Sequence, residues 1–260
     1  IMKTWLDQPG YPVVTAKLAD GQVTLTQNQF FIGDGQDAGR KWSIPLNSNY
    51  AEVPELMTEK PIPIADYDNL RAAHGAPFLL NVGNNSHFIV QYDQTLMKDI
   101  LQNVNQLDAI SQLQILQDLR LLADGKKTSY ATFAPLLPRF ANSHGNVVNA
   151  ALYRAANKMK QFVTPKSAEE KQLKAFFDQL SSQQLARWGW TPKAGEANAD
   201  QLTRPYILSA ALYAENAAAI KDAHQLFTNK ADNLGGLSAD IRVFVLRNEV
   251  KNFGSAELFD

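Results

Sequence analysis

The sequence contains no cysteine among its 260 residues. This excludes disulfide bonds, thiolate nucleophiles and cysteine-ligated zinc or iron–sulfur sites. A reducing compartment fits such a composition best, so we expect a cytoplasmic protein.

Long apolar runs are missing too, since no stretch approaches the roughly 20 residues that cross a bilayer. The first residues also lack the order of charged, apolar and cleavage-site segments that is typical of a signal peptide. We therefore expect no membrane partner.

Charge of one sign is not in excess, because 25 basic residues face 26 acidic ones and the net charge is −1. No overall field attracts nucleic acid, so we expect no such partner. The densest basic group consists of Arg154, Lys158 and Lys160, and its spacing predicts one solvated helix face.

Catalytic motifs are scarce. The four histidines are far apart and none is followed by Glu, so H-E-x-x-H is absent. Gly125-Lys-Lys-Thr128 lacks the first glycine of a phosphate-binding loop, and no G-x-S-x-G elbow exists. The residues themselves predict no catalytic residue, no metal ligand and no cofactor in this chain.

The sequence does contain the pattern of a soluble globular protein, with 45% hydrophobic and 20% charged residues. Its first part predicts short strands divided by proline and glycine. Asp20-Gly21 is a strong hairpin signal, and the two prolines within residues 59–66 predict an edge strand or an extended connection. Another short strand is predicted at residues 42–46.

Residues 79–93 mark a change of pattern. Two apolar runs, 78–82 and 87–92, flank Gly83-Asn-Asn-Ser86, which predicts the last hairpin of a β domain. After Asp93 the apolar period changes from two to 3.6, which is typical of helices.

The remaining chain predicts an all-α part. Ser167 with Glu170 forms a capping box, Trp188-Gly189-Trp190 marks a break, and Arg204 and Arg242 fall in helix first turns. Predicted helices begin at Asp108, Thr128 or Ser129, Ser143, Ser167, Thr203, Ala217 and Ser238. The fold class expected is α+β multidomain: a small antiparallel β-sandwich over residues 1–93, then an antiparallel helical superhelix, solenoid-like, over residues 94–260.

Several segments together resemble the zinc-dependent aminopeptidase N enzymes, the gluzincin aminopeptidases. Similar to that family in order and spacing are Met2-Lys-Thr-Trp5 with Gln8-Pro-Gly-Tyr-Pro-Val-Val14, Leu25-Thr-Gln27, Trp42-x-Ile-Pro-Leu46, Val90-Gln-Tyr-Asp93, Asp118-Leu-x-x-Leu-Ala-x-Gly125 and Leu237-Ser-Ala-Asp-Ile-Arg242. The chain departs from it at Ser86-His-Phe-Ile89, where the family has Gly, two aromatics and Arg.

The resemblance implies a β-sandwich domain plus the first part of the C-terminal helical domain. The family's zinc motif lies upstream in the catalytic domain, so zinc is expected in that domain, which would be this chain's partner in cis. The parent would remove N-terminal residues from peptides, and this piece would space and enclose the peptide chamber without activity of its own. Arg204 and Arg242 are candidates for contacting peptide carboxylates in that chamber.

The resemblance also implies that the helical domain is truncated at its C-terminal end. The last helix is then expected to expose apolar surface, which favours self-association. Two other readings stay open: an independent scaffold that binds a protein or peptide and belongs to no enzyme, and a self-contained hydrolase. The latter lacks a nucleophile–base set.

Overall fold

A computed structural model describes residues 1–254, except for the side chains of residues 231 and 232. By its contacts the chain divides into two compact units, Ile1–Arg139 and Phe140–Asp260. This division keeps the helices that directly follow Asp93 with the sheet, and the domain boundary at residues 93/94 stays a prediction. The expected truncation at Phe259-Asp260 lies outside the described residues.

The predicted class is confirmed, since a small sheet is followed by helices. The strands of the described part are β1 (Pro12–Ala19), β2 (Gln22–Gln29), β3 (Ile44–Pro45), β4 (Leu56–Met57), β5 (Ile62–Ile64) and β6 (Ile89–Tyr92). The α-helices are α1 (Lys3–Leu6), α2 (Tyr67–His74), α3 (Gln94–Gln102), α4 (Ala109–Asp124), α5 (Tyr130–Phe133), α6 (Asn146–Lys158), α7 (Ala168–Trp188), α8 (Asn198–Tyr213), α9 (Ala217–Thr228) and α10 (Ala239–Phe253). Short 3₁₀ helices lie at Val104–Gln106, Ala134–Phe140, Met159–Phe162 and Ala231–Gly236.

The larger sheet has the strand order β5-β2-β1-β6. β1 and β2 form the predicted hairpin, and Asp20 and Gly21 take the left-handed conformation with φ of 50° and 73°. A two-residue type I′ turn requires positive φ at both positions, and Asp-Gly tolerates it. β5 pairs with β2 alone, so the predicted edge strand is confirmed.

The predicted hairpin over residues 78–92 is wrong. Only its second half forms a strand, β6, which lies parallel to β1, so the sheet is mixed rather than antiparallel. The first half makes one isolated bridge, between Ser48 and Leu80. Asn81 explains the difference: its φ is 58°, its side-chain nitrogen donates to Ser86 O and its side-chain oxygen accepts from Ser86 N, both at 2.9 Å. This amide closes the loop in place of a strand ladder.

The core of the first unit lies between the four-stranded sheet and the two-stranded sheet β3–β4. The buried Gln27 of β2 joins them. Its side-chain nitrogen donates to Trp42 O at 2.8 Å and to Thr58 O at 2.5 Å, and its side-chain oxygen accepts from Trp42 N at 2.8 Å. One carboxamide therefore satisfies three backbone groups where β3 and β4 end. The predicted strand at residues 42–46 is correspondingly short, and only Ile44–Pro45 pairs.

Helix α4 covers the opposite face of the sheet. Its Leu122 belongs to a second apolar cluster with Val13, Phe30 and Ile89. Directly after the helix, the chain passes so close to the sheet that a Cβ on Gly125 would stand 2.5 Å from a ring carbon of Phe30. Glycine is required here by the close approach.

The second unit is helical within residues 140–254. The predicted cap at Ser167 is confirmed: its hydroxyl accepts from Glu170 N at 3.1 Å, and the Glu170 carboxylate accepts from Lys166 N at 2.6 Å. The predicted break is also present, since α7 ends at Trp188 and Gly189 has a φ of 62°.

A buried polar network joins α6 to α7. Tyr153 donates to the side-chain oxygen of Gln184, whose side-chain nitrogen donates to Asn149 Oδ1 and to Ala141 O, each at 2.6 Å. Every one of these side chains is buried. Such a network favours one arrangement of the two helices, because an unpaired amide in an apolar interior is costly.

No helix within the described residues is both long and apolar enough to cross a membrane.

Candidate functional site

The sequence-predicted candidate Arg204 is buried inside the second unit, and its side chain is 2% exposed. Its Nη2 donates to the two carboxylate oxygens of Glu196 at 2.5 and 2.7 Å. The same guanidinium donates to the backbone oxygens of Trp188 and Gly189. It therefore ties the loop between α7 and α8 to α8 itself.

Helix α8 begins at Asn198 and includes Pro205, so the predicted helix start at Thr203 is wrong. Arg204 lies inside the helix instead of capping it. Burial alone raises the pKa of Glu196, but hydrogen bonds from Lys193 N and Arg204 outweigh it and hold that pKa below its usual value. The pair is an internal ion pair, and a contact of Arg204 with peptide stays a prediction.

The second candidate, Arg242, lies in the first turn of α10. Its Nη2 donates to Gly235 O at 3.1 Å and to Leu237 O at 2.8 Å, both in the segment that precedes the helix. Its Nε is buried and has no hydrogen-bond partner within residues 1–254. Arg242 is less deeply buried than Arg204, and its contact with peptide also stays a prediction.

Each histidine has a separate local neighbour. The pairs are His74 with Glu52, His87 with the ring of Tyr11, His144 with Arg187, and His224 with Glu249. No three His, Asp or Glu side chains of the described chain form a group fit to hold a metal ion. These residues therefore offer no ligand set for zinc, and no zinc-dependent step is assigned to them.

A groove of about 520 Å³ opens in the first unit at the end of the two-stranded sheet. Its lining residues are Thr4, Lys41, Trp42, Ser43, Thr58, Glu59 and Lys60. The Lys41 ammonium donates to Gln27 O at 2.6 Å. The buried indole N–H of Trp42 has no hydrogen-bond partner in the described chain. No hydrogen-bonded nucleophile–base pair is present among these lining residues.

Lys160 does not lie on a solvated face, and that prediction is wrong for this residue. Its Nζ stands 3.8 Å from the ring centre of Tyr213 and 4.7 Å from that of Phe177. Burial lowers the pKa of Lys160. The aromatic faces replace part of the water that an exposed ammonium would bind.

Sequence reasoning did not identify the burial of Asp118 in α4, which is 8% exposed. Its Oδ2 accepts from Val90 N at 3.1 Å and from the Gln114 amide at 3.5 Å. Burial raises the pKa of Asp118 to about 8. The signal was available, because Asp118 lies three residues after Ile115 and four before Leu122 on the apolar stripe.

Comparison with known proteins gives one family and several relatives. The family model described as ERAP1-like C-terminal domain matches residues 77–260. Aminopeptidase N of Lactobacillus helveticus is 59% identical over 261 residues, which cover 100% of this chain and 31% of that protein. Aminopeptidase N of Lactobacillus delbrueckii subsp. lactis is 56% identical over 260 residues, which again cover 100% of this chain and 31% of that protein.

A more distant relative, aminopeptidase N of Lactococcus lactis subsp. lactis (strain IL1403), is 41% identical over 258 residues. These residues are 99% of this chain and 30% of that protein. The chain thus spans just under a third of the length of the curated relatives that it matches.

Proposed function

Since the chain belongs to the ERAP1-like C-terminal domain family and corresponds to the C-terminal region of aminopeptidase N proteins, we propose that it is the non-catalytic part of a zinc aminopeptidase. The parent enzyme removes N-terminal residues from peptides in the cytoplasm. The observation that carries the proposal is that proteins named aminopeptidase N match the whole chain, while the chain covers only 31% of their length.

In this proposal zinc is held by the catalytic domain, where it activates water and polarises the scissile carbonyl. The present residues contribute structure to that enzyme. The sheet unit spaces the helical part from the catalytic domain in cis, and the helices enclose the peptide chamber. Enclosure excludes water from the reaction and limits the size of the peptides that enter.

The ion pair of Arg204 and Glu196 supports a scaffolding role, since this buried guanidinium also donates to the backbone oxygens of Trp188 and Gly189 and so fixes the loop between α7 and α8. Arg242 is the more accessible of the two candidates for a peptide carboxylate. It would act as a charged hydrogen-bond donor to that group.

The experiment compares the 260-residue chain with the longer protein. Both are assayed with an aminoacyl anilide, and their zinc content is measured by elemental analysis. We expect turnover and stoichiometric zinc in the longer protein only. Stoichiometric zinc in the short chain, or turnover above a blank, would contradict the proposal, and so would a longer protein without H-E-x-x-H and a distal Glu.

Self-association of the isolated chain is a second part of the proposal. Helix α10 leaves three large apolar side chains partly uncovered: Val243, Val250 and Phe253 are 43%, 50% and 43% exposed. Neighbouring copies could cover this apolar stripe, which is favourable because apolar surface leaves water. Sedimentation velocity over a range of concentrations is expected to show a reversible increase in mass, and a strictly monomeric chain would contradict it.

A further inference from the structure

Helix α4, which covers one face of the four-stranded sheet, also contacts the β6 edge of that sheet through a side chain. β6 is an edge strand, because it pairs with β1 alone. The Asp118 carboxylate of α4 accepts the N–H of Val90 in that strand at 3.1 Å, and Gln114 donates to Leu80 O at 3.2 Å. A backbone N–H on a sheet edge otherwise needs water or another strand, so Asp118 satisfies one donor of the β6 edge. Leu80 lies outside the four-stranded sheet, and Gln114 therefore ties α4 to the segment that precedes β6.

The carboxyl group of Asp118 has no cationic partner among the described residues. The titratable groups around it are Tyr92 of β6 and Tyr11 before β1, and both pKa values are raised, mainly by burial, so both phenols stay neutral. Arg120 of α4 is the nearest cation along the helix, and it pairs with Asp124 at 2.8 Å. His87, just before β6, contacts the ring of Tyr11 rather than Asp118 in the described chain. Asp118 is a buried carboxyl at this contact whose charge changes near neutral pH.

We propose that Asp118 acts as a proton-controlled latch between α4 and strand β6. With its proton, the side chain accepts the Val90 N–H as a neutral group and α4 stays on the sheet edge. Without the proton, a charge without a partner lies in an apolar contact, and α4 separates from the edge more readily. The latch consists of Asp118, Gln114 and the backbone groups of Val90 and Leu80.

The direction of the pH effect follows from the two states. The pKa of Asp118 is about 8 when the latch is closed, and it returns toward the ordinary value of 3.8 when the carboxyl group is solvated. The closed state thus binds more protons between pH 4 and 8. In that window the opening equilibrium rises by up to about tenfold per pH unit. Below the lower pKa and above the higher one, the opening does not depend on this group.

The test is amide hydrogen exchange of Val90 between pH 5 and 8, corrected for the pH dependence of the chemical exchange rate. In the wild-type chain we expect the opening equilibrium to rise at least tenfold across this range. Asp118→Asn keeps an acceptor oxygen and the shape of the side chain but has no group that titrates in this range. The opening equilibrium of Val90 in this variant should therefore change less than about twofold between pH 5 and 8. Asp124→Asn on the same helix is the matched control and should keep the wild-type slope.

If Asp118→Asn fails to fold, a direct titration of the aspartates in the wild-type chain tests the latch. The aspartate carboxyl carbons of the wild-type chain are followed by NMR as the pH rises. The latch requires one aspartate that titrates well above the others, together with the loss of Val90 protection over the same pH range. Titration of all aspartates near pH 4, or a Val90 opening that is flat in the wild type, would overturn it.

Discussion

The carboxamide of Gln27 gives the sharpest stability prediction. It binds Trp42 N, Trp42 O and Thr58 O, and the side chain is 3% exposed. In Gln27→Leu these three backbone groups lose their partner at once. Thr58 is exposed and its carbonyl can turn to water, whereas Trp42 is 1% exposed and its two groups stay unpaired.

Each buried, unpaired polar group costs about 1–3 kcal/mol. Two such groups, offset in part by the apolar burial of leucine, give a loss of roughly 3 kcal/mol in the stability of the first unit. That loss raises the opening equilibrium by on the order of 100-fold. The control is Gln22→Leu, the same change at an exposed position of the same strand, which should stay within about 0.5 kcal/mol of the wild type.

The assay is urea unfolding followed residue by residue through amide exchange, because the two units need not unfold together. The Trp42 amide reports directly on the lost hydrogen bond. If Gln27→Leu and Gln22→Leu were equally stable, the inference that this carboxamide joins the two sheets would be refuted.

Two further predictions concern a close contact and an ion pair. Gly125→Ala places a methyl group 2.5 Å from a ring carbon and 2.7 Å from a backbone oxygen, so we expect a loss of about 1–3 kcal/mol in thermal unfolding; Gly236→Ala, which meets only ordinary contacts, should cost clearly less. Glu196→Gln leaves the guanidinium of Arg204 buried without its counterion, and a loss of roughly 3 kcal/mol is expected for the helical unit. Circular dichroism in urea measures it, and an unchanged midpoint would contradict the structural role of this pair.

Local signals in the sequence predicted local structure well. Asp20-Gly21 specifies its turn because both residues tolerate positive φ. Ser167 caps α7 through a hydrogen bond to the backbone N–H of Glu170, only three residues away in the sequence. Each of these features needs only its own few residues to be satisfied. Neither depends on what the rest of the chain does, and a single sequence therefore reveals both.

The failures share a different origin. The apolar runs around Asn81 look like a hairpin, but the Asn81 amide and the distant strand β1 decide the pairing, and no local pattern contains β1. The sequence predicts a solvated Lys160 because the two aromatic rings that contact it belong to other helices and are distant in the sequence. The sequence predicts a helix start at Arg204 because Pro205 follows it and proline is common in the first turn, yet Pro205 lies inside α8. Tertiary contacts overrode the local pattern at β6 and at Lys160.

The parallel pairing of β1 and β6 also has a consequence for how the chain folds. Val13 is aligned with Ile89, so the edge of β1 stays open until most of the first unit has been synthesised. The β1–β2 hairpin closes over a two-residue turn and can form early. β6 pairs with β1 only after a long intervening stretch of chain has been brought together, and this has a larger entropic cost. During that interval β1 offers a bare row of backbone donors and acceptors. Any shorter product of translation or proteolysis that ends before β6 should therefore aggregate rather than persist as a smaller folded protein.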